Sequence, residues 1–122
     1  MLSFRSEGFY RYENGSFKDL DLAQVAAVWE QGSIIRSWIC TLSRQVLESD
    51  QEFKAISGSI AENLTGRWTL DDAKANKIPV ELIEQSLDIR SWSRATGGDW
   101  RTKMVAMLRN AFGGHAVAKK KE

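Results

Sequence analysis

Close to its end the chain reads LRNAFGGHAVAKKKE, setting Arg109 six positions before the only histidine, His115. An arginine fork beside an imidazole suits a phosphate or a carboxylate, because the guanidinium offers two parallel N–H groups to paired oxygens. Phe112, Gly113 and Gly114 stand between them. If the preceding residues are helical, one glycine takes the left-handed conformation that ends the helix, and the chain turns to present His115 beside its last turn. The same residues also spell a capped helix followed by a basic tail, so the motif does not decide alone.

Arg36 is the second candidate. It follows Ile34 and Ile35 where a helix is expected to begin. A cation at the positive end of a helix dipole calls for an anionic partner, either a ligand or a carboxylate such as Glu30. Arg67 is a third. Cys40, beside an apolar stripe, reads as core. Asp71-Asp72 and Glu81-Glu84 are expected in first helical turns, where the dipole accounts for them. Trp29, Trp38 and Trp100 fall on core stripes. One cysteine and one histidine exclude a Cys/His zinc site within a chain, and neither a GxGxxG nor a P-loop pattern occurs.

The elements that must position these residues are helical. Leu22, Val25, Val28 and Trp29 recur at helical spacing behind Asp19 or Asp21 as a cap. Ile35, Trp38, Ile39, Leu42 and Val46 form a second stripe, capped by Ser33. Residues 51–64 read as short helical turns broken near Gly58. Gly66-Arg67-Trp68 reads as a loop before a helix capped by Thr69, and Pro79 as the first residue of the next. Gly97-Gly98 marks a hairpin into a helix striped by Trp100, Met104, Leu108 and Phe112. No segment alternates with period two. The expectation is an all-α fold of five to seven helices in one domain, residues 1–117, with a basic tail at 118–122. LSFRSEGFYRY resembles the end of a helix whose beginning lies outside the chain.

Composition narrows the class. Seventeen basic against sixteen acidic residues give a net charge of +1, which supplies no field for steering onto nucleic acid. No apolar run approaches the ~20 residues of a membrane span, and the first ten residues do not read as a signal peptide. The expected location is cytoplasmic, with neither nucleic acid nor membrane as partner.

Three stretches carry a family resemblance. AAVWEQGSIIRSWI resembles the W-x-x-G-x-I-I-R-S segment of 6-phosphogluconate dehydrogenases; GRWTLDDAKANKIPVELIEQSLDIRSWSR resembles the following helical part of the short bacterial form, and LRNAFGGHAV its ending. The resemblance runs in register over about residues 6 to 117. It implies a helical C-terminal domain that forms a homodimer and completes the substrate site of an enzyme of the pentose phosphate pathway. It also implies that Arg36 holds the phosphate of a phosphorylated sugar acid, while Arg109 and His115 reach into the partner subunit's site. In the family a Rossmann domain binds NAD or NADP, and a K-x-x-H-N-x-x-E segment supplies the lysine base and the acid of an oxidative decarboxylation. Neither occurs in this sequence. The expectation is therefore no cofactor and no catalytic residue in this chain, with a separate Rossmann-domain partner or a truncated gene as ways to complete the enzyme. The alternative is a dimeric interaction scaffold that binds no ligand. Surface that the missing domain would cover, near Phe4, Phe9 and Tyr10, is expected to be exposed.

Overall fold

A computed structural model describes residues 6–10, 15–16 and 19–120. Among them are six helices: α1 (6–10), α2 (Leu22–Gly32), α3 (Trp38–Ser49), α4 (Leu64–Ala75), α5 (Glu81–Thr96) and α6 (Trp100–Gly113). The only β feature among these residues is an isolated bridge between Ile56 and Lys119. The fold is all-α, and no described helix is long and apolar enough to cross a membrane.

Caps set the boundaries. The Asp21 carboxylate accepts from the amides of Ala23 and Gln24 at 3.0 and 3.2 Å and opens α2. The first N–H groups of a helix have no partner within it, so an acceptor here removes an unmet donor. Ser37, not Ser33, caps α3. Ser33 instead closes α2, where its hydroxyl donates to the Trp29 carbonyl. Asp99 and Thr102 form a reciprocal capping box at the head of α6. Gly97 and Gly114, both left-handed, terminate α5 and α6.

The core joins α1, α2, α3 and α6. Phe9 is 0% exposed and packs its ring on Trp29 with centroids 4.6 Å apart. Leu42, Val46 and Leu47 of α3 meet Met104 and Leu108 of α6, with Phe53 closing the end. The expected exposure of Phe9 is thus overturned, because Trp29 of α2 covers it. Tyr10 is half-buried beneath the Arg101 guanidinium, and Phe4 lies outside the described residues.

Several boundaries differ from the sequence pattern for local reasons. Gly66-Arg67-Trp68 lies inside α4, since Gly66 leaves room for Leu87 of α5; a Cβ there would sit 3.1 Å from Leu87 Cδ2. Asp71 and Asp72 consequently fall in the second half of α4, where Asp72 accepts from Asn76 Nδ2 at 3.2 Å. Pro79 precedes α5 without entering it, as the first turn closes on the Val80 carbonyl. Trp38 opens α3 and is 63% exposed instead of packed in the core.

Residues 51–63 contain no helix. Tertiary partners satisfy this backbone instead: the Asp50 carboxylate takes the amides of Glu52 and Phe53, Ser57 N donates to the Ala118 carbonyl, and Lys120 N donates to the Ala55 carbonyl. Gly58 N donates to the Gly97 carbonyl at 2.8 Å. Here two glycine backbones nearly touch. A Cβ on Gly98, whose φ is +69°, would lie 2.7 Å from the Gly58 carbonyl oxygen and 2.1 Å from Thr102 Oγ1.

Two stability predictions follow from this geometry. Gly98→Ala should cost about 2 kcal/mol or more in chemical denaturation, because it combines a left-handed alanine with a backbone clash. Gly32→Ala, with nothing within 4 Å of its Cβ, should instead stabilise by roughly 0.5 kcal/mol. The amide of Gln24, followed by the contacts from Gln51 and Ala23, holds the Asp21 carboxyl below its ordinary pKa of 3.8. Its contribution is full above that value and is lost as pH falls through the lower folded value. Asp21→Asn should therefore lower the melting temperature at pH 7 and leave it nearly unchanged near pH 2.

Candidate anion-binding site

Arg36 stands in the turn between α2 and α3, one residue before the Ser37 cap, and not in the first helical turn. Its side chain is exposed and has no hydrogen bond or ion pair among the described residues. The carboxylate that could have neutralised it is engaged elsewhere: Glu30 accepts from Arg44 Nε at 2.6 Å, and that bond holds the Glu30 carboxyl below its usual range. Arg44 also bonds Glu48 at 2.7 Å. Arg36 therefore retains a free fork beside the amino end of α3, where backbone dipoles add to its positive potential.

Two residues on, Trp38 begins an aromatic row. Its ring lies 6.5 Å from that of Phe112, which lies 6.3 Å from the His115 imidazole in an edge-to-face arrangement. His115 follows the left-handed Gly114, is exposed, and is tied to α6 by Asn110 Nδ2 donating to its carbonyl at 2.9 Å. The turn thus presents the imidazole beside the last turn of α6, on the side that faces the start of α3.

Arg109 points elsewhere. It is 8% exposed, and its Nη1 donates to the Ala61 carbonyl at 2.7 Å. Burial, and secondarily repulsion from Arg90, pull its pKa below the ordinary arginine value. Within one chain Arg109 and His115 are therefore not brought onto one surface. Arg67 is neutralised in part by Glu62 at 2.9 Å, and Arg94 shares the same carboxylate at 2.8 Å.

Arg90 and Arg94 escaped the sequence reading. Their spacing of four puts both on one face of α5, which is the signal that could have found them. Cys40 is buried, with its thiol donating to the Ile35 carbonyl. No group of three or more His, Cys, Asp or Glu side chains among the described residues could hold a metal. These residues also contain no strand, hence no strand–glycine loop–helix unit of the kind that cradles a dinucleotide pyrophosphate.

No protein-family profile matches the chain. It is 38% identical over 120 residues to the Bacillus subtilis (strain 168) protein named "Putative 6-phosphogluconate dehydrogenase YqeC", a match covering 98% of this chain and 40% of that protein. It is also 38% identical over 115 residues to the Haloferax volcanii protein named "6-phosphogluconate dehydrogenase, NAD(+)-dependent, decarboxylating", covering 93% of this chain and 38% of that one. The chain spans about two-fifths of the length of these relatives. With its all-helical architecture, this stretch belongs to the 6-phosphogluconate dehydrogenase family, as its C-terminal helical region.

Proposed function

We propose that this chain is the dimerisation and phosphosugar-binding part of a 6-phosphogluconate dehydrogenase, acting in the cytoplasm and non-catalytic by itself. The observation that carries the reading is the free guanidinium of Arg36, which no carboxylate among the described residues neutralises although Glu30 lies on the preceding helix. An unpaired cation with a fork geometry next to a helix amino end is suited to a phosphate. His115 supplies a second polar group across the aromatic row. In this reading Arg36 of one chain and His115 of a second copy bind one ligand, with Arg109 positioning the arm that carries His115. The nicotinamide cofactor and the base for hydroxyl oxidation belong to a Rossmann domain outside these residues.

Exposed apolar side chains support the second copy. Leu64, Trp68, Leu82 and Ile83 on α4 and α5 all face solvent, with Leu82 at 82% exposure. Large apolar side chains left in solvent are common on association surfaces. A scaffold reading, a dimer that binds no ligand, is favoured by one observation only: Arg109 already spends its inward N–H on the Ala61 carbonyl.

Titration with 6-phosphogluconate, followed by NMR at the single histidine ring, separates these readings. A saturable shift that Arg36→Ala weakens by about tenfold or more is expected for the phosphosugar site, as a charged hydrogen-bonding partner is lost. No shift up to millimolar ligand would leave the scaffold. Sedimentation should show a dimer, and a concentration-independent monomer would contradict both readings.

A further inference from the structure

Two anchors of different kinds hold the turn that carries His115. One comes from α6, where Asn110 Nδ2 donates to the His115 carbonyl at 2.9 Å. The other is a backbone bridge to residues 55–57: Ser57 N donates to the Ala118 carbonyl at 2.8 Å, Lys120 N donates to the Ala55 carbonyl at 3.1 Å, and Ile56 pairs antiparallel with Lys119. Only Ala116 and Val117 separate His115 from this bridge.

Side chains contribute little to the second anchor. Ala116, Ala118, Lys119 and Lys120 are exposed, and Val117 is half-buried. Behind the segment lies a cavity of about 700 Å3, bounded by Ile56 and the Gly97-Gly98 turn, where a packed strand would have apolar contacts. Charge opposes docking as well: Lys103, Lys119 and Lys120 line this cavity, and none of them forms an ion pair among the described residues. Backbone hydrogen bonds therefore hold the segment, and bonds of small net worth in water make an attachment that opens without unfolding the helices. The other side of the bridge is different in kind. Gly58, next to Ser57, is buried and gives its N–H to the Gly97 carbonyl at 2.8 Å.

We propose that residues 117–120 are a strap whose docking on residues 55–57 positions His115 for its ligand, with the Lys120 amide as the fastening group. The proposal rests on the phosphosugar reading for that ligand, whereas the strap itself is defined by backbone geometry. With both anchors closed, the imidazole is confined beside the last turn of α6 before any ligand arrives, so binding has less motion to arrest. With the strap open, only the Asn110 bond restrains rotation at the left-handed Gly114.

A pair of variants at one position tests this. Lys120→Pro removes the fastening N–H, while Lys120→Ala removes the same side chain and keeps the N–H. Amide hydrogen exchange at Ser57 should be about fivefold faster or more in Lys120→Pro than in Lys120→Ala. Exchange at Gly58 should be equal in the two, which shows that both are folded. The heteronuclear Overhauser effect of the His115 amide should fall in Lys120→Pro alone, and affinity for 6-phosphogluconate, read at the His115 ring, should fall with it by about threefold or more. Equal Ser57 exchange, or an equally ordered His115, in the two variants would overturn the strap. Equal ligand affinity beside a loosened His115 would overturn its positioning role. A His115 ring that never responds to the ligand in the unaltered chain would overturn the phosphosugar reading instead, and the strap would still stand or fall on Ser57 exchange and His115 order.

Discussion

The near-contact of two glycine backbones governs much of this architecture. Gly58 lies against Gly97 and Gly98, closely enough that neither Gly58 nor Gly98 has space for a β-carbon. The approach lets an irregular segment with no hydrogen-bond ladder of its own dock onto the turn between α5 and α6. Gly58 N finds the Gly97 carbonyl, and two residues later Ile60 N finds the Ser93 hydroxyl at 3.1 Å. Thr102 serves both sides of this crossing: its hydroxyl accepts from Asp99 N in the capping box and bounds the space beside Gly58. The geometry that starts α6 is therefore the geometry that fixes residues 58–62.

Once that segment is fixed, the arginines have a target. Carbonyl groups of an irregular segment are not consumed by a helix, so they remain available as acceptors for side chains. Arg94 and Arg109 use them, and Glu62 draws in Arg67. A buried guanidinium costs several kcal/mol unless it is hydrogen-bonded or paired, and one carbonyl is a modest return for Arg109. The concentration of positive charge is thus a consequence of the crossing and not of composition, since the chain as a whole carries only +1.

Periodicity revealed the helices because core stripes such as Met104 and Leu108 obey it directly. That glycine ends α6 was equally legible, because a helix end with positive φ selects glycine, but Gly113 and Gly114 fit the role alike and only the structure assigns it to Gly114. Boundaries failed where one residue type serves two purposes. Ser33 and Ser37 are both good caps, and only the closure of α2 by Ser33 decides between them. Gly66 resembles a loop signal but makes room for Leu87, a requirement set by another helix. Residues 51–63 were misread because their partners lie 40 or more positions away in several cases, including Ser57 with Gly97 and Arg109 with Ala61. Arg36, Arg109 and His115 were visible as residue types, but their directions were not.

Those directions constrain any site that two chains share. Leu108 faces the core shared with α3, and Phe112, one turn on, continues that side to Trp38; Arg109, a single position after Leu108, is turned about a quarter of the way round the helix toward Ala61. Helix α6 therefore presents one side to the Arg36 end of α3 and an adjacent side to the arginine cluster. His115 lies beyond the left-handed Gly114, so rotation there would redirect the imidazole while breaking the hydrogen bond from Asn110 Nδ2 to the His115 carbonyl and leaving the α6 backbone in place. Arg109 has no such hinge: moving its backbone would draw Leu108 out of the core, and moving its side chain would release the Ala61 carbonyl. An arm crossing to a second copy can accordingly carry His115 at the cost of its Asn110 hydrogen bond, whereas Arg109 reaches a shared ligand only where that ligand comes to it.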